Sequence, residues 1–325
     1  MKATSPLATV AILTYNGETY LEAILSALET QKLDGEFEVL VIDSGSTDAT
    51  LAIVAAHPSV RLHQIPNSEF GHGTTRNLAA TLATGEFVVY LTHDAIPADD
   101  FWLAEMLEPF MRFPGVEAVM GRQVARPDCV PILKYEIRRV FATQGPEFGT
   151  TVSYEAEAFD RHPEYGMPAR FYSDVNSAAR RSFLTEVIAY QAVEYAEDQL
   201  FGQDVLRSGK SKAYASRGTV IHSNDLTYAE YSKRLFDEIV GLRLSGAPVP
   251  PAPHGIRSFV RAVVLDPLDI LRDREYSTPR KLYWLVVNPF YHLAKYRAGR
   301  KARRIDLTDT ALIARESLEA ERKNQ

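Results

Sequence analysis

The chain has 325 residues, 46% of them hydrophobic and 24% charged, the composition of a globular protein with a sizeable core, which excludes a disordered, collagenous or coiled-coil polypeptide. Its 42 acids against 36 bases give a net charge of −6, the wrong balance for a protein that must neutralise nucleic-acid phosphates. The single cysteine, Cys129, permits no intrachain disulfide and suits a reducing cytoplasm.

The first apolar run, 7–13, leads into Thr14-Tyr15-Asn16 with no small-residue cleavage site behind it, so it reads as a core strand and not a signal peptide. Short β-rich runs then alternate with helical patterns: strand 8–13, helix 20–31, strand 37–42, helix 49–56, strand 60–65, helix 73–83 and strand 87–91. A helix at 97–113 follows an acidic loop. The alternation predicts an α/β fold, a mostly parallel mixed sheet covered by helices on both faces. In such sheets ligands bind beyond the carboxyl ends of the strands, which singles out the loops at 14–16, 43–48 and 92–95.

From 126 to 167 the pattern loosens around prolines 127, 131, 146 and 163, which predicts an irregular or mobile substrate-side segment. Periodicity returns at 182–190 and 197–208, and 212–220 reads as a strand. Prolines 248, 250, 251 and 253 mark a boundary, because proline lacks the amide donor that helix and sheet interiors need. Residues from about 255 are predicted to form a helical extension. Its apolar run at 282–287, closed by Asn288-Pro289, falls far short of the roughly 18 residues a membrane-spanning helix needs.

Three motifs carry chemistry. Asp43-Ser-Gly-Ser-Thr-Asp48 stands directly behind a buried strand. A carboxylate there accepts hydrogen bonds from a base or ribose while small residues turn the chain past it. The same residues equally suit a turn opened by Asp43 and a helix cap at Ser46, Thr47 or Asp48. No Gly-x-Gly-x-x-Gly lies nearby, which counts against dinucleotide binding. The strand at 87–91 delivers Asp94 to the same sheet edge, where an acid either closes a turn or binds a divalent ion bridging diphosphate oxygens. Glu197-Asp198 opens a helical pattern, as a general base or as first-turn acids matched to the helix dipole. His72, between Gly71 and Gly73, is a donor to a diphosphate or sugar, or a turn residue. His93 points towards the core by strand alternation. Cys129 has no histidine near it in sequence and is not read as a nucleophile.

Seven segments, in order over 8–222, resemble family 2 glycosyltransferases of the GT-A type: VAILTYNGETYLEAILSAL, VLVIDSGSTDAT, GTTRNLAA, YLTHDAIPADDFW, NSAARRSF, AEDQLFGQDVLRSGKSKAYA and Val220-Ile-His222. Within that family, EFGHGTTRN and LTHDA are most similar to bacterial rhamnosyltransferases that use a dTDP-linked sugar. The resemblance implies that Thr14 and Asp43 hold the nucleotide base with Tyr15 beside it, and that Arg76 lies near the base and diphosphate. Asn16, His72, Asn77, Asn176 and Glu197 complete the expected nucleotide-sugar set. It implies Asp198 as the catalytic base, and Asp94 and His222 as ligands of a divalent cation, Mg²⁺ or Mn²⁺. Asp94 matches the final acid of an Asp-x-Asp motif whose first acid is here Thr92, which removes one carboxylate from the metal site.

The implied activity is inverting transfer of a sugar, rhamnose from dTDP-rhamnose, to a hydroxyl of a glycan or lipid-linked glycan. A UDP-sugar or GDP-mannose donor, or a catalytically silent sugar-nucleotide-binding relative, are the alternatives. One positioned base suffices for in-line displacement, hence inversion. The expected organisation is a catalytic domain over 1–245, with a donor half (1–125) and an acceptor and catalytic-base half (126–245), followed by the helical extension over 255–325. From Lys295 to Arg304 the extension holds six Lys or Arg and no acid, behind an aromatic run. This reads either as a peripheral attachment to the inner face of an anionic membrane, or as a helix packed on the protein or on a second copy.

Overall fold

A computed structural model describes residues 5–153, 171–193, 195–246, 249 and 260–323. The four prolines of the expected boundary, and 154–167 of the expected irregular segment, lie outside the described residues. The chain forms two compact units, one of residues 1–124 and 138–222, the other of 125–137 and 223–325. Compactness thus divides the chain upstream of the expected 245–255 boundary.

Among the described residues the first unit contains nine strands: β1 (Ala8–Thr14), β2 (Phe37–Asp43), β3 (Val60–Gln64), β4 (Phe87–Thr92), β5 (Ile96–Pro97), β6 (Val116–Val124), β7 (Thr150–Ser153), β8 (Asn176–Arg180) and β9 (Ser211–Ile221). They form one mixed sheet in the order β3-β2-β1-β4-β8-β6-β9-β5, with β7 also on β9. Pairing is parallel from β3 to β4 and between β6 and β9, while β8 runs antiparallel to both β4 and β6. The helices are α1 (Leu21–Glu29), α2 (Thr50–Ala56), α3 (His72–Leu82), α4 (Trp102–Arg112), α5 (Pro131–Ala142, which runs on from the second unit), α6 (Arg181–Glu186) and α7 (Glu197–Arg207).

Parallel strands covered on both faces read as continuous apolar runs, and β1 and β4 are buried along almost their whole length. α1 buries Leu21, Ile24, Leu25 and Leu28, the i, i+3, i+4, i+7 stripe of a helix lying on a sheet. The chain walks outward from β1 through β2 to β3, then returns to place β4 on the other side of β1. The carboxyl ends of β1 and β4 therefore flank a switch point, where open α/β sheets bind ligands.

Two stretches depart from the sequence reading. The helix expected from 97 begins at Trp102, because Ile96–Pro97 pairs antiparallel with β9 instead. The segment from 126 contains α5, since proline at a first helical position lacks only an amide that would be unpaired there anyway.

The second unit is helical: α8 (Tyr228–Leu244), α9 (Asp266–Arg272, entered through a π-turn at Arg261–Leu265), α10 (Thr278–Arg304), α11 (Thr310–Glu316) and α12 (Leu318–Lys323). A capping box starts α8: the Thr227 hydroxyl accepts from the Glu230 amide and the Glu230 carboxylate accepts from the Thr227 amide. Tyr231 on α8 packs with Tyr291 and Trp284 on α10, and Phe236 and Val240 pack with Ala302 and Ile305. That interface is why α8 belongs to this unit. α10 runs through Pro289, held by this packing and by buried Asn288 and His292, whose side chains meet buried Asp266. Among the described residues no helix is long and apolar enough to cross a membrane.

Candidate active site

The loops behind β1 and β2 are bound into one unit. Asp43 is fully buried, and its Oδ1 accepts from the amides of Gly45 (3.0 Å) and Ser46 (3.1 Å), while its Oδ2 accepts from the Ser46 hydroxyl. Gly45 takes φ +89°, which an L side chain resists. Asn16 adopts the left-handed conformation, φ 49°, that asparagine tolerates best. Its amide donates to Ser46 Oγ (2.8 Å) and its Oδ1 accepts from the Thr47 amide (2.8 Å). Asn16 thus clamps the two loops together. Asp48 takes over the start of α2, accepting from the Thr50 amide at 3.0 Å. The Thr14 hydroxyl is buried without a hydrogen-bond partner, and Tyr15 is half-buried beside it. Gly17 fits between β1 and β4 because a Cβ there would lie 2.6 Å from Thr14 Oγ1 and 3.2 Å from His93 Cβ.

Behind β4, the half-buried Asp94 meets buried His222 from the end of β9, Nε2 to Oδ2 at 3.2 Å, although 128 positions separate them. Burial raises the Asp94 pKa, but His222 foremost, then His93 and the Thr92 hydroxyl, hold the carboxyl well below the usual carboxylate range. His222 Nδ1 faces Gln123 Oε1 at 3.1 Å, and Gln123 Nε2 donates to Ser173 Oγ at 3.0 Å. With Nδ1 facing Gln123 Oε1, the ring turns Nε2 to the Asp94 carboxylate, a donor to it while that nitrogen carries a proton and a ligand beside it when a cation takes the proton's place. A nitrogen and a carboxylate oxygen at this spacing suit neighbouring ligands of one divalent ion, whose bonds of about 2.1 Å set cis donors about 3 Å apart. Among the described residues no group of three or more His, Cys, Asp or Glu converges.

A second cluster surrounds Asp198. Arg76, 6% exposed on α3, places Nε 3.1 Å from Asp174 Oδ2 and Nη1 2.6 Å from Glu197 Oε1. Asp174 is also buried, and its Oδ1 accepts from Ser177 (2.6 Å) and the Tyr190 hydroxyl (2.9 Å). Tyr190 lies 5.8 Å from the guanidinium and stacks on Phe201 of α7. Asp198 is the second residue of α7, after Ala196 in the left-handed region (φ 63°). Its Oδ2 faces the Asp174 amide at 3.4 Å. Burial first, then the charges of Glu197 and Asp174, push its carboxyl well above the usual range. A carboxylate so raised is better matched to proton abstraction near neutral pH.

The expected nucleotide-sugar residues therefore have distinct settings. Thr14, Tyr15, Asp43, Asp94 and His222 gather at the carboxyl ends of β1, β2, β4 and β9. Arg76 and Glu197 are instead buried against each other, because two buried acids need a cation. Asn77 exchanges two 2.9 Å bonds with the Tyr190 backbone. Asn176 is fully buried: its Oδ1 accepts from Trp102 Nε1, and its Nδ2 donates to the carbonyls of Arg122 and Gly218. Both asparagines hold backbone together. His72 is exposed at the start of α3, edge-on to Phe70. Cys129 is buried, its thiol pushed up to about 11 by burial, which suits a structural residue.

The glycosyl transferase family 2 model matches residues 9–187. The chain belongs to that family. This glycosyltransferase is 29% identical over 231 residues to the O-antigen chain rhamnosyltransferase RfbN of Salmonella typhimurium (strain LT2), covering 70% of each chain. It is 30% identical over 202 residues to the O-antigen chain rhamnosyltransferase WbaN of Salmonella anatum, covering 62% of this chain and 61% of that one. Among solved structures it is similar to the mannosyltransferase PcManGT from Pyrobaculum calidifontis in complex with GDP-Man and Mn²⁺, with a TM-score of 0.53 and 21% identity over 96% of this chain and 80% of that one. S. aureus TarS 1–349 in complex with UDP-GlcNAc gives a TM-score of 0.51 and 20% identity, over 95% and 79%. The fold is GT-A.

Sequence reasoning missed Asp174, Tyr190, Gln123 and Lys212. Lys212, on β9, is buried; its ammonium donates to the Phe171 carbonyl at 2.7 Å, and burial pushes its pKa down to about 7, partly opposed by Asp198. The folded protein thus holds this proton less tightly than the unfolded chain, whose lysine titrates near pH 10.4. Unfolding free energy therefore rises with pH between about 7 and 10, by up to about 4 kcal/mol from this group. Lys212→Met removes that part of the rise in denaturant titrations across this window; an unchanged slope refutes the assignment.

Proposed function

We propose that this glycosyltransferase transfers rhamnose from dTDP-rhamnose, with inversion, to a hydroxyl of a glycan or lipid-linked glycan in polysaccharide assembly on the cytoplasmic side of the cell envelope. The observation that carries the catalytic part is the Asp94–His222 pair in the same unit as the raised-pKa Asp198. The two rhamnosyltransferase relatives support the donor sugar. Thr14, Asp43 and Tyr15 would line the nucleotide base, with the unpartnered Thr14 hydroxyl offering the hydrogen bond. Asp94 and His222 would hold a divalent cation, Mg²⁺ or Mn²⁺, which when bound neutralises charge on the leaving diphosphate. Asp198 accepts the proton of the incoming hydroxyl, and that single base is all in-line displacement requires.

Calorimetry with dTDP-rhamnose, UDP-GlcNAc and GDP-mannose, each with and without Mn²⁺, tests this reading. The expected result is tightest binding of dTDP-rhamnose, strengthened by Mn²⁺ and losing that strengthening in Asp94→Asn. Tighter binding of UDP-GlcNAc or GDP-mannose overturns the donor assignment. Binding that leads to no turnover with any glycan acceptor favours a catalytically silent relative.

A further inference from the structure

The second unit exposes an apolar surface that its own packing does not explain. The buried aromatics of α10, Trp284 and Tyr291, face the helical core, so the aromatic run is only partly a surface feature. On the opposite side of the same helix, Leu282, Val286 and Phe290 are 62%, 67% and 56% exposed, at the i, i+4, i+8 spacing of one stripe. Residues 282–287 of α10 are thus apolar all round, a pattern that belongs to a helix covered on every side. α9, which packs on α10, and the π-turn before it repeat the feature: Val264 in the turn and Leu268 and Leu271 on α9 are each more than 40% exposed. Between 260 and 268 no exposed side chain is charged.

The charge further along the stripe identifies the occupant. At helical spacing from Phe290 and Leu293, the same face carries Arg297, Arg300 and Arg304, all exposed. Over Thr278–Arg304 there are eight Lys or Arg and no Asp or Glu, in a chain whose net charge is −6. A second copy of this acidic chain would find positive charge opposite positive charge across a two-fold contact of this face. A bilayer with anionic headgroups satisfies both halves, taking the apolar stripe into the acyl boundary and pairing the arginines with phosphates. We propose that the exposed faces of α9 and α10 are a monotopic docking surface for an anionic membrane. The inference does not rest on the donor or the catalytic residues, all of which lie in the other unit.

Sedimentation of the full-length protein with phosphatidylcholine vesicles, with and without added phosphatidylglycerol, tests it. The expected result is binding to the phosphatidylglycerol vesicles and little to the neutral ones. Val286→Glu/Phe290→Glu, a pair of exposed positions, should lower the partition coefficient at least a hundredfold at every salt concentration. Arg297→Gln/Arg300→Gln/Arg304→Gln should lower it about a hundredfold at low salt and progressively less as salt screens the wild type. Unfolding midpoints and circular dichroism confirm that each variant is folded, and the arginine variant stands alone if the glutamate pair fails to fold. Failure of the wild type to bind anionic vesicles at low salt overturns the proposal, as does binding that neither variant changes. A dimer in solution that Val286→Glu/Phe290→Glu disperses, with no vesicle binding, assigns the face to self-association and overturns it equally.

Discussion

Asp198→Asn lowers turnover by about 10²-fold or more while leaving donor affinity near that of the wild type. The substitution keeps the shape of the side chain and, through its one remaining oxygen, the contact with the Gln199 amide; it gives up the longer contact with the Asp174 amide and the capacity to take a proton, which for a positioned base contributes roughly 10²- to 10⁴-fold. The pH profile sharpens the test. Burial, Glu197 and Asp174 favour the protonated carboxyl, so the acid limb of kcat/KM falls above pH 4, where an ordinary aspartate would place it. Above that limb the carboxylate is free to accept a proton; below it the site is blocked. In Asp198→Asn the limb disappears along with the rate. Single-turnover measurements with a verified acceptor and saturating donor check both points, and unchanged turnover removes Asp198 from the mechanism.

The donor-side half of the fold was legible because β1 and β4 are buried along almost their whole length and β2 over its second half, and all three show as mainly apolar runs. β6 was not, since Glu117, Gly121, Arg122 and Gln123 interrupt its apolar pattern and its pairing with β8 and β9 exists only in the assembled sheet. The prolines that made 126–142 look irregular include one that opens α5. At the site, the pairing of Asp94 with His222 followed from the family resemblance; nothing in the local sequence around either residue calls for the other. Asn77, Asn176 and Arg76 show the opposite limit. Each is a polar residue beside a predicted element, a description that fits a ligand contact and a core hydrogen bond equally, and only the folded chain shows the internal partners each one has. Lys212 was silent for the same reason, because one lysine in a strand reads as a solvated face.

Arg76 separates these accounts most sharply. Placed at the diphosphate, as the resemblance implied, its loss would weaken donor binding and leave the fold intact. Held as the structure has it, between a fully buried Asp174 and a nearly buried Glu197, its loss strands two carboxylates where water cannot solvate them. Removing one partner of such a buried cluster costs about 3–5 kcal/mol, and Arg76→Ala is expected to lower the denaturant midpoint accordingly. Arg76→Lys restores the charge but not the fork that reaches both acids, and should recover only part of the loss. Neutralising the acids as well, in Arg76→Met/Asp174→Asn/Glu197→Gln, should recover most of it, because the penalty comes from unpaired charge and not from missing volume. Because Glu197 adjoins Asp198 and the Asp174 amide faces its Oδ2, the recovered triple variant should fold yet turn over slowly, with the acid limb of its pH profile shifted towards that of an ordinary aspartate. An Arg76→Ala protein with a wild-type midpoint and weakened donor binding would return this arginine to the diphosphate.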